Sequence, residues 1–289
     1  PVELSSMCSS HVCNISADKD SKDRKILCRA LLGCRVVICA LTPPPVSTSE
    51  TFHRQNVDCV CILLEECRSS FVDSFVHISS IGVLDQFVPH LNNDETTPLP
   101  EKSTYQSSFD LTKRLGEDMV LEFKDEKLWT LSLRCGAIIN SYRDLSGRFE
   151  KKNYLLYDGA RSDVVDGVNV AWAVFLAVSA LENRQENVNR ESFNITKGEP
   201  ITLIEISKMI QKRINNEIVV LPYILYQMIY CFIWFIMTIR SLLLYTEPGL
   251  PLHKLLHMAN VPQTFSTKKA FDVLNYKPVV DFEETIDRV

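Results

Sequence analysis

The chain of 289 residues and 33.0 kDa is long enough to bury a full core, and it suits one large α/β domain or a core with a smaller lobe. Its 46% hydrophobic and 23% charged residues exclude global disorder. A net charge of -5, with no arginine cluster or basic stripe, excludes nucleic acid as a partner, because that affinity comes from phosphate neutralisation.

Residues 1 to about 24 are polar and rich in Ser, Asp and Lys, a poor core element. Cys8, His11 and Cys13 come nearest to a metal set but lack a fourth ligand, so no metal is expected. The ten cysteines sit mostly in apolar runs such as "CRVVICAL" and "VDCVCILLEEC" and read as reduced packing thiols. The sequons at Asn14 and Asn194 read as chance matches, since no signal with a basic flank and apolar core opens the chain. The start at Pro1 suggests that an N-terminal part lies upstream.

"KILCRALLGC" reads as a short helix, and "RVVICAL" (35–41) as a buried parallel strand closed by Thr42 and three prolines. A helix over "TFHRQNVDCVCILLEECRSS" follows, then the strand "SFVHISS" (74–80). After a proline-bearing loop (85–104) come a helix from about Ser107 to Phe123 and the strand "LWTLSLRCG" (128–136). This alternation predicts a doubly wound parallel sheet with right-handed crossovers and a crevice at the strand ends. From 147 onward the pattern becomes mainly helical, with elements at 168–182, 202–213 and 266–274. The expected division is therefore a Rossmann-like domain (1–146) and a smaller helical lobe (147–289).

Ile218 to Ile239 carry no charge and are bracketed by Lys212, Arg213 and Arg240, a length that a membrane helix needs. Because folded sequence continues beyond it, an in-plane or re-entrant anchor within 218–245 is favoured over a full span, with a core helix of the small lobe as the alternative. Pro222 fits the first turn of that helix.

In "SSFDLTKRLGED" (107–118), Phe109 and Lys113 lie four apart on one helical face, and "FVHISSIGV" brings Ser79 and Ser80 to a strand end. With "LLGCRVVICAL", "NVDCVCILLEEC", "WTLSLRCGAI", "FNITKGEPITLIEI" and "TFSTKKAFDVLNYKPVVDFEETI" in order over roughly residues 17 to 289, the chain resembles the extended short-chain dehydrogenase/reductases, within them the 3β-hydroxysteroid dehydrogenase/isomerase family.

The resemblance implies an NAD- or NADP-dependent oxidoreductase acting on the hydroxyl or ketone of a steroid or sterol-like molecule. It makes Ser80 the donor to the substrate oxygen, Lys113 the lysine that binds the nicotinamide ribose, and Asn56 the helix asparagine of the "NV" motif. Leu41, Thr42 and Pro43 would line the cofactor, and Asp18 would match the adenine-side aspartate. The residues alone also allow Ser80 as a strand-end cap, Lys113 as a solvated helix lysine and Asn56 as a helix cap. A membrane-associated, intracellular location, at the endoplasmic reticulum, and a homodimer are further expectations.

Three departures from the family pattern are visible. Phe109 stands in the position of the acid/base tyrosine, keeping the ring and deleting the hydroxyl; Tyr105, one turn earlier, is the candidate substitute. No GxxGxxG or GxGxxG occurs, so the first βαβ unit, with its pyrophosphate cradle, is expected to be missing from this sheet. Cys135 replaces the proline that follows the strand arginine beside the nicotinamide. A catalytically inactive, membrane-associated steroid-binding or scaffolding protein is the alternative that these departures favour.

Overall fold

The computed structural model describes residues 9, 11–15, 18, 20–44, 47–140, 153–156, 159–214, 217–244, 257 and 260–288. The first helix, α1 (Lys22–Leu31), begins where Ser21 accepts a hydrogen bond from the Arg24 amide, three residues earlier than the apolar run suggested. β1 (Val36–Cys39) leads into α2 (Ser49–His53), a π-helical turn (Arg54–Asp58) and α3 (Cys59–Ser69). β2 (Ser74–Ser80) follows, then a 3-10 turn (Ile81–Leu84), the short β3 (His90–Asn93), and α4 (Ser108–Glu122) capped by Ser107.

Next come β4 (Trp129–Cys135), β5 (Ala137–Ile139), β6 (Asn153–Leu156), β7 (Val164–Asp166), α5 (Gly167–Glu182) and β8 (Glu191–Ile195). The remainder is α6 (Leu203–Ile214), β9 (Glu217–Val220), α7 (Tyr223–Leu244), β10 (Gln263–Phe265), α8 (Lys268–Leu274) and α9 (Phe282–Asp287).

The central sheet has four parallel strands in the order β1-β2-β4-β8. Alternation along β2 sends Phe75, His77 and Ser79 to one face and Val76 and Ile78 to the other. Phe75 joins Leu27, Leu31, Val60, Leu64 and Val120 from α1, α3 and α4 in one core, while Val76, Leu131, Leu133, Phe193 and Ile195 meet Ala173, Ala177 and Leu181 of α5 in the other. Helices on both faces make the sheet doubly wound, as the sequence predicts.

Beyond residue 146 the chain returns to this sheet, because β8 extends it and α5 covers its face. That strand and the β3–β10 pair escaped the sequence reading, which had the first inside a helical lobe and the second partly in the loop 85–104. The apolar stretch from Ile218 also divides: its first residues pair as β9 with β6, and the helix starts after Pro222. On α7 the side chains of Ile224, Met228, Phe232, Phe235 and Ile239 are exposed. Counted over the described residues, no helix is long and apolar enough to cross a membrane.

Two contacts seat α4. Gly116 lies against the Asn56 carbonyl, where a Cβ would collide with the oxygen. One residue on, the fully buried Glu117 accepts hydrogen bonds from Arg134 Nε at 2.9 Å and Ser132 Oγ at 2.8 Å, and pairs with Arg134 Nη2 at 2.7 Å. Glu117→Ala leaves the Arg134 guanidinium buried beside an empty space. A loss of about 3–5 kcal/mol in urea unfolding is expected, and a loss under about 1 kcal/mol would show that the pair does not seat the helix.

Candidate functional site

The candidate site lies at the C-terminal ends of β1 and β2, where α4 brings its inner face, Asp110, Lys113, Gly116 and Glu117, against the sheet. Lys113 is 4% exposed, so it is not a solvated helix lysine. Its Nζ donates to Leu41 O at 3.0 Å and Ile78 O at 3.2 Å, bridging the exits of both strands and leaving one N–H uncommitted to them. Burial holds this ammonium below its ordinary pKa, against the favourable influence of Cys39, Cys135 and Glu117.

Ser80 is half-buried two residues beyond Ile78, and its Oγ accepts from Gly82 N at 3.0 Å. Lys113 Nζ thus reaches the β2 backbone two residues before Ser80. Ser79 points to the opposite face and is 4% exposed. Phe109, half-buried on the same helical face as Lys113, packs edge-on against Phe52 of α2 with centroids 5.6 Å apart. The hydroxyl of Tyr105 donates to the Val83 carbonyl, and burial pushes its pKa up to about 12. It is thus a weak acid already engaged by the 3-10 turn.

Asn56 is 1% exposed inside the π-helical turn; its Nδ2 donates to Thr112 Oγ1 at 3.0 Å, and Oδ1 has no partner among the described residues. The asparagine therefore ties two helices together rather than capping one. Leu41 contributes its carbonyl to Lys113, Thr42 is exposed and Pro43 buried. Asp18 is exposed ahead of α1, with Oδ1 accepting from Asp20 N. Cys135 is paired with Ser80 across β2 and β4, and burial pushes its thiol up to about 12.

Cys8 lies outside the described residues; among those described, no group of three or more His, Cys, Asp or Glu is placed to hold a metal. The described cysteines are free thiols. Asn194 is 0% exposed within β8, which closes that sequon to modification in the folded chain. A separate open hollow of about 430 Å³, lined by Arg68, Phe71, Asp125 and Lys127, lies by the opposite ends of β2 and β4, away from these side chains.

Two buried groups escaped the sequence reading. His77 is 1% exposed with neither ring nitrogen partnered among the described residues, and burial with the nearby Lys113 drops its pKa to about 3. Asp110 is 0% exposed and accepts from Gln86 Nε2 at 2.8 Å; burial raises it to about 7. The only signal for Asp110 was its place three residues after Ser107, which reads as a capping box.

The parallel doubly wound sheet is that of the short-chain dehydrogenase/reductase class. The profile of the 3-beta hydroxysteroid dehydrogenase/isomerase family matches residues 2–219, and the chain belongs to that family. It is 27% identical over 277 residues to the decarboxylating sterol-4-alpha-carboxylate 3-dehydrogenase of Schizosaccharomyces pombe, covering 88% of this chain and 76% of that protein. Among solved structures it is similar to gox2253, with a TM-score of 0.68, 20% identity and coverage of 89% of this chain and 77% of that one. A short-chain dehydrogenase/reductase superfamily protein from Agrobacterium tumefaciens with bound NAD aligns with a TM-score of 0.62 at 15% identity, covering 92% of this chain and 81% of that one.

For the nicotinamide end of a dinucleotide, Lys113 has one N–H beyond the two given to Leu41 O and Ile78 O, and that N–H would be the donor to the ribose. The pyrophosphate end finds no glycine-rich strand-turn-helix among the described residues.

His77 and Asp110 act on stability with opposite sign. Asp110, raised from 3.8 to about 7, contributes stability that is full below about pH 4 and lost as pH rises through 7. His77, lowered from 6.5 to about 3, contributes stability that is full above pH 6.5 and lost as pH falls through 3. In urea unfolding, Asp110→Asn should gain on the parent as pH rises from about 5 to 8, by on the order of 3 kcal/mol. His77→Gln should gain on it as pH falls from about 6.5 to 4. Differences that do not change with pH would refute the burial of these two groups.

Proposed function

We propose that the chain is a nicotinamide-dependent oxidoreductase of the steroid and sterol branch, acting on a CH–OH or C=O group. The observation that carries this reading is the Lys113 ammonium bridging two strand exits two residues from the half-buried Ser80 hydroxyl. Ser80 would donate to the substrate oxygen and Lys113 would hold the ribose of NAD or NADP, with Leu41, Thr42 and Pro43 along its path. When bound, the nicotinamide supplies or accepts the hydride. The chain beyond residue 146, apart from α5 and β8 in the central sheet, would contribute the lobe over the substrate, consistent with the relative in Schizosaccharomyces pombe being a sterol dehydrogenase by name.

Phe109 favours a second reading. Its ring fills the tyrosine position and packs on Phe52, while the Tyr105 hydroxyl is turned to Val83 O. Under this reading the crevice binds a steroid-shaped molecule without turnover. Calorimetric titration of the full chain with NAD(H) up to millimolar concentration, followed by hydride transfer assayed on a 3β-hydroxysteroid, separates the two. Phe109→Tyr is expected to raise transfer by about 10²-fold or more, the range of a positioned general acid. Cofactor binding that is undetectable in both chains would sink the enzyme reading for this form.

The exposed apolar row on α7 supports contact with a membrane surface; an intracellular location at the endoplasmic reticulum is part of the same proposal and rests on the family resemblance. Phe232→Asp combined with Phe235→Asp should abolish co-flotation of the chain with phosphatidylcholine vesicles; unchanged flotation would remove α7 from that role. The homodimer that the family resemblance implies belongs to the same reading, and sedimentation of the purified chain measures it directly.

A further inference from the structure

Asp110 sits one residue past Phe109 at the start of α4, fully buried, yet none of the roles above uses it. A carboxylate three residues into a helix commonly returns to the capping residue. Here Ser107 Oγ accepts from Asp110 N at 3.3 Å, but the Asp110 carboxylate turns to the neighbouring loop instead. Its Oδ1 accepts from Gln86 Nε2 at 2.8 Å, and Oδ2 has no partner among the described residues.

Gly82 makes room for this arrangement. A Cβ at Gly82 would fall on Asp110 Oδ1 and Gln86 Nε2, so the carboxyl occupies the side-chain space of a turn residue. That turn, Ile81–Leu84, is the one that holds Ser80, because the Gly82 amide donates to Ser80 Oγ and leaves the serine O–H as the donor available to the crevice. Tyr105 is anchored to the same turn through Val83 O. On the far side, Gln86 O accepts from Gln263 Nε2 of β10 at 3.3 Å, and Gln263 Nε2 also donates to Val88 O at 2.8 Å.

We propose that Asp110 is a positioning residue for Ser80: its carboxyl stands in for the side chain that Gly82 lacks, clamps the turn through Gln86, and, on gaining or losing a proton, changes how firmly the Gly82 amide holds the serine hydroxyl. The groups that face it are Asp85 beyond the turn, Gln86, and Tyr105 from the loop before α4; Arg114 lies by Tyr105, and His90 of β3 holds the same turn through Leu84 O and Asp85 O. Burial, reinforced by the negative charge of Asp85, favours the protonated form, and the Gln86 hydrogen bond opposes it, placing the balance near pH 7. Neutral, the carboxyl carries a donor at Oδ2 and sits quietly beside Asp85. Ionised, it repels Asp85 and draws the Gln86 amide, which moves the turn.

The clamp matters to chemistry only if Ser80 has the role proposed above, but its geometry is testable without cofactor or substrate. Ile81–Gly82 is the sole Ile–Gly step in the sequence, so the full chain labelled with carbonyl-¹³C isoleucine and ¹⁵N glycine yields a single selected amide signal. From about pH 5.5 to 8.5 that signal should shift with one midpoint near 7. The shift should vanish in Asp110→Asn, move to lower pH in Asp85→Asn and move to higher pH in Gln86→Leu. A parent signal that does not move over this range, or a titration surviving Asp110→Asn, overturns the proposal. If Asp110→Asn does not fold, the parent titration and the Gln86→Leu midpoint decide it. Absence of hydride transfer in Phe109→Tyr would leave this titration unchanged, so the two failures are distinguishable.

Discussion

Glu117 carries a carboxylate into a space with no exposure, and β4 supplies its hydrogen bonds from Ser132 and Arg134. Both charges come out of water, so the pair is stable only where its geometry is held, and that requirement fixes the rotation of α4 about its own axis. Once Glu117 faces β4, helical spacing puts Gly116 under the Asn56 carbonyl, Lys113 one turn earlier over the exits of β1 and β2, and Phe109 beyond it. The crevice is therefore a consequence of how one helix is seated, and its side chains share that single registration.

Parallel strands end with carbonyls that have no partner in the next strand, and the ammonium of Lys113 satisfies two of them at once. Because the lysine is buried, its charge is balanced locally by the strand carbonyls and by Glu117, and it in turn discourages protonation of His77. Asp110 takes the opposite course, retaining a proton well above the usual carboxylate range. The interface between α4 and the sheet is thus a row of polar groups of different charge state, each set by burial and by the next group along.

Much of this was legible in the residues. β2 coincides with "SFVHISS", α4 begins at the expected serine cap, and the apolar helix begins after Pro222, because alternation, capping and a proline at the first turn are local rules. β8 was missed because "ESFNI" has polar ends and earns its place only by lying beside β4, a long-range pairing that no local pattern reveals. β3 is weaker still: His90, Asn92 and Asn93 disfavour a strand, and β10 supplies the pairing from more than 160 residues away. In the site, Phe109 and Lys113 stood out by spacing and Ser80 by the family resemblance, whereas His77 and Asp110 did not, since burial is what makes them unusual and burial is a property of the folded chain.

The residues retained in the crevice have work in the fold that is separate from any reaction. Lys113 ties β1 to β2, the Phe109 ring fills a space against Phe52, and the Ser80 hydroxyl accepts the Gly82 amide at the start of a turn. Measured against the tyrosine that the family resemblance places here, phenylalanine keeps the packing and lacks only the hydroxyl, the proton donor of the proposed reaction. A working oxidoreductase and a binding protein would need the same lysine and serine scaffold. What distinguishes them is whether any titratable group can reach the substrate oxygen. With Tyr105 held at Val83 O, the proposed reaction leaves Ser80 as the hydroxyl donor to the substrate oxygen, and in that proposal the turn carrying the serine, with the carboxyl packed beneath it, bears on the chemistry.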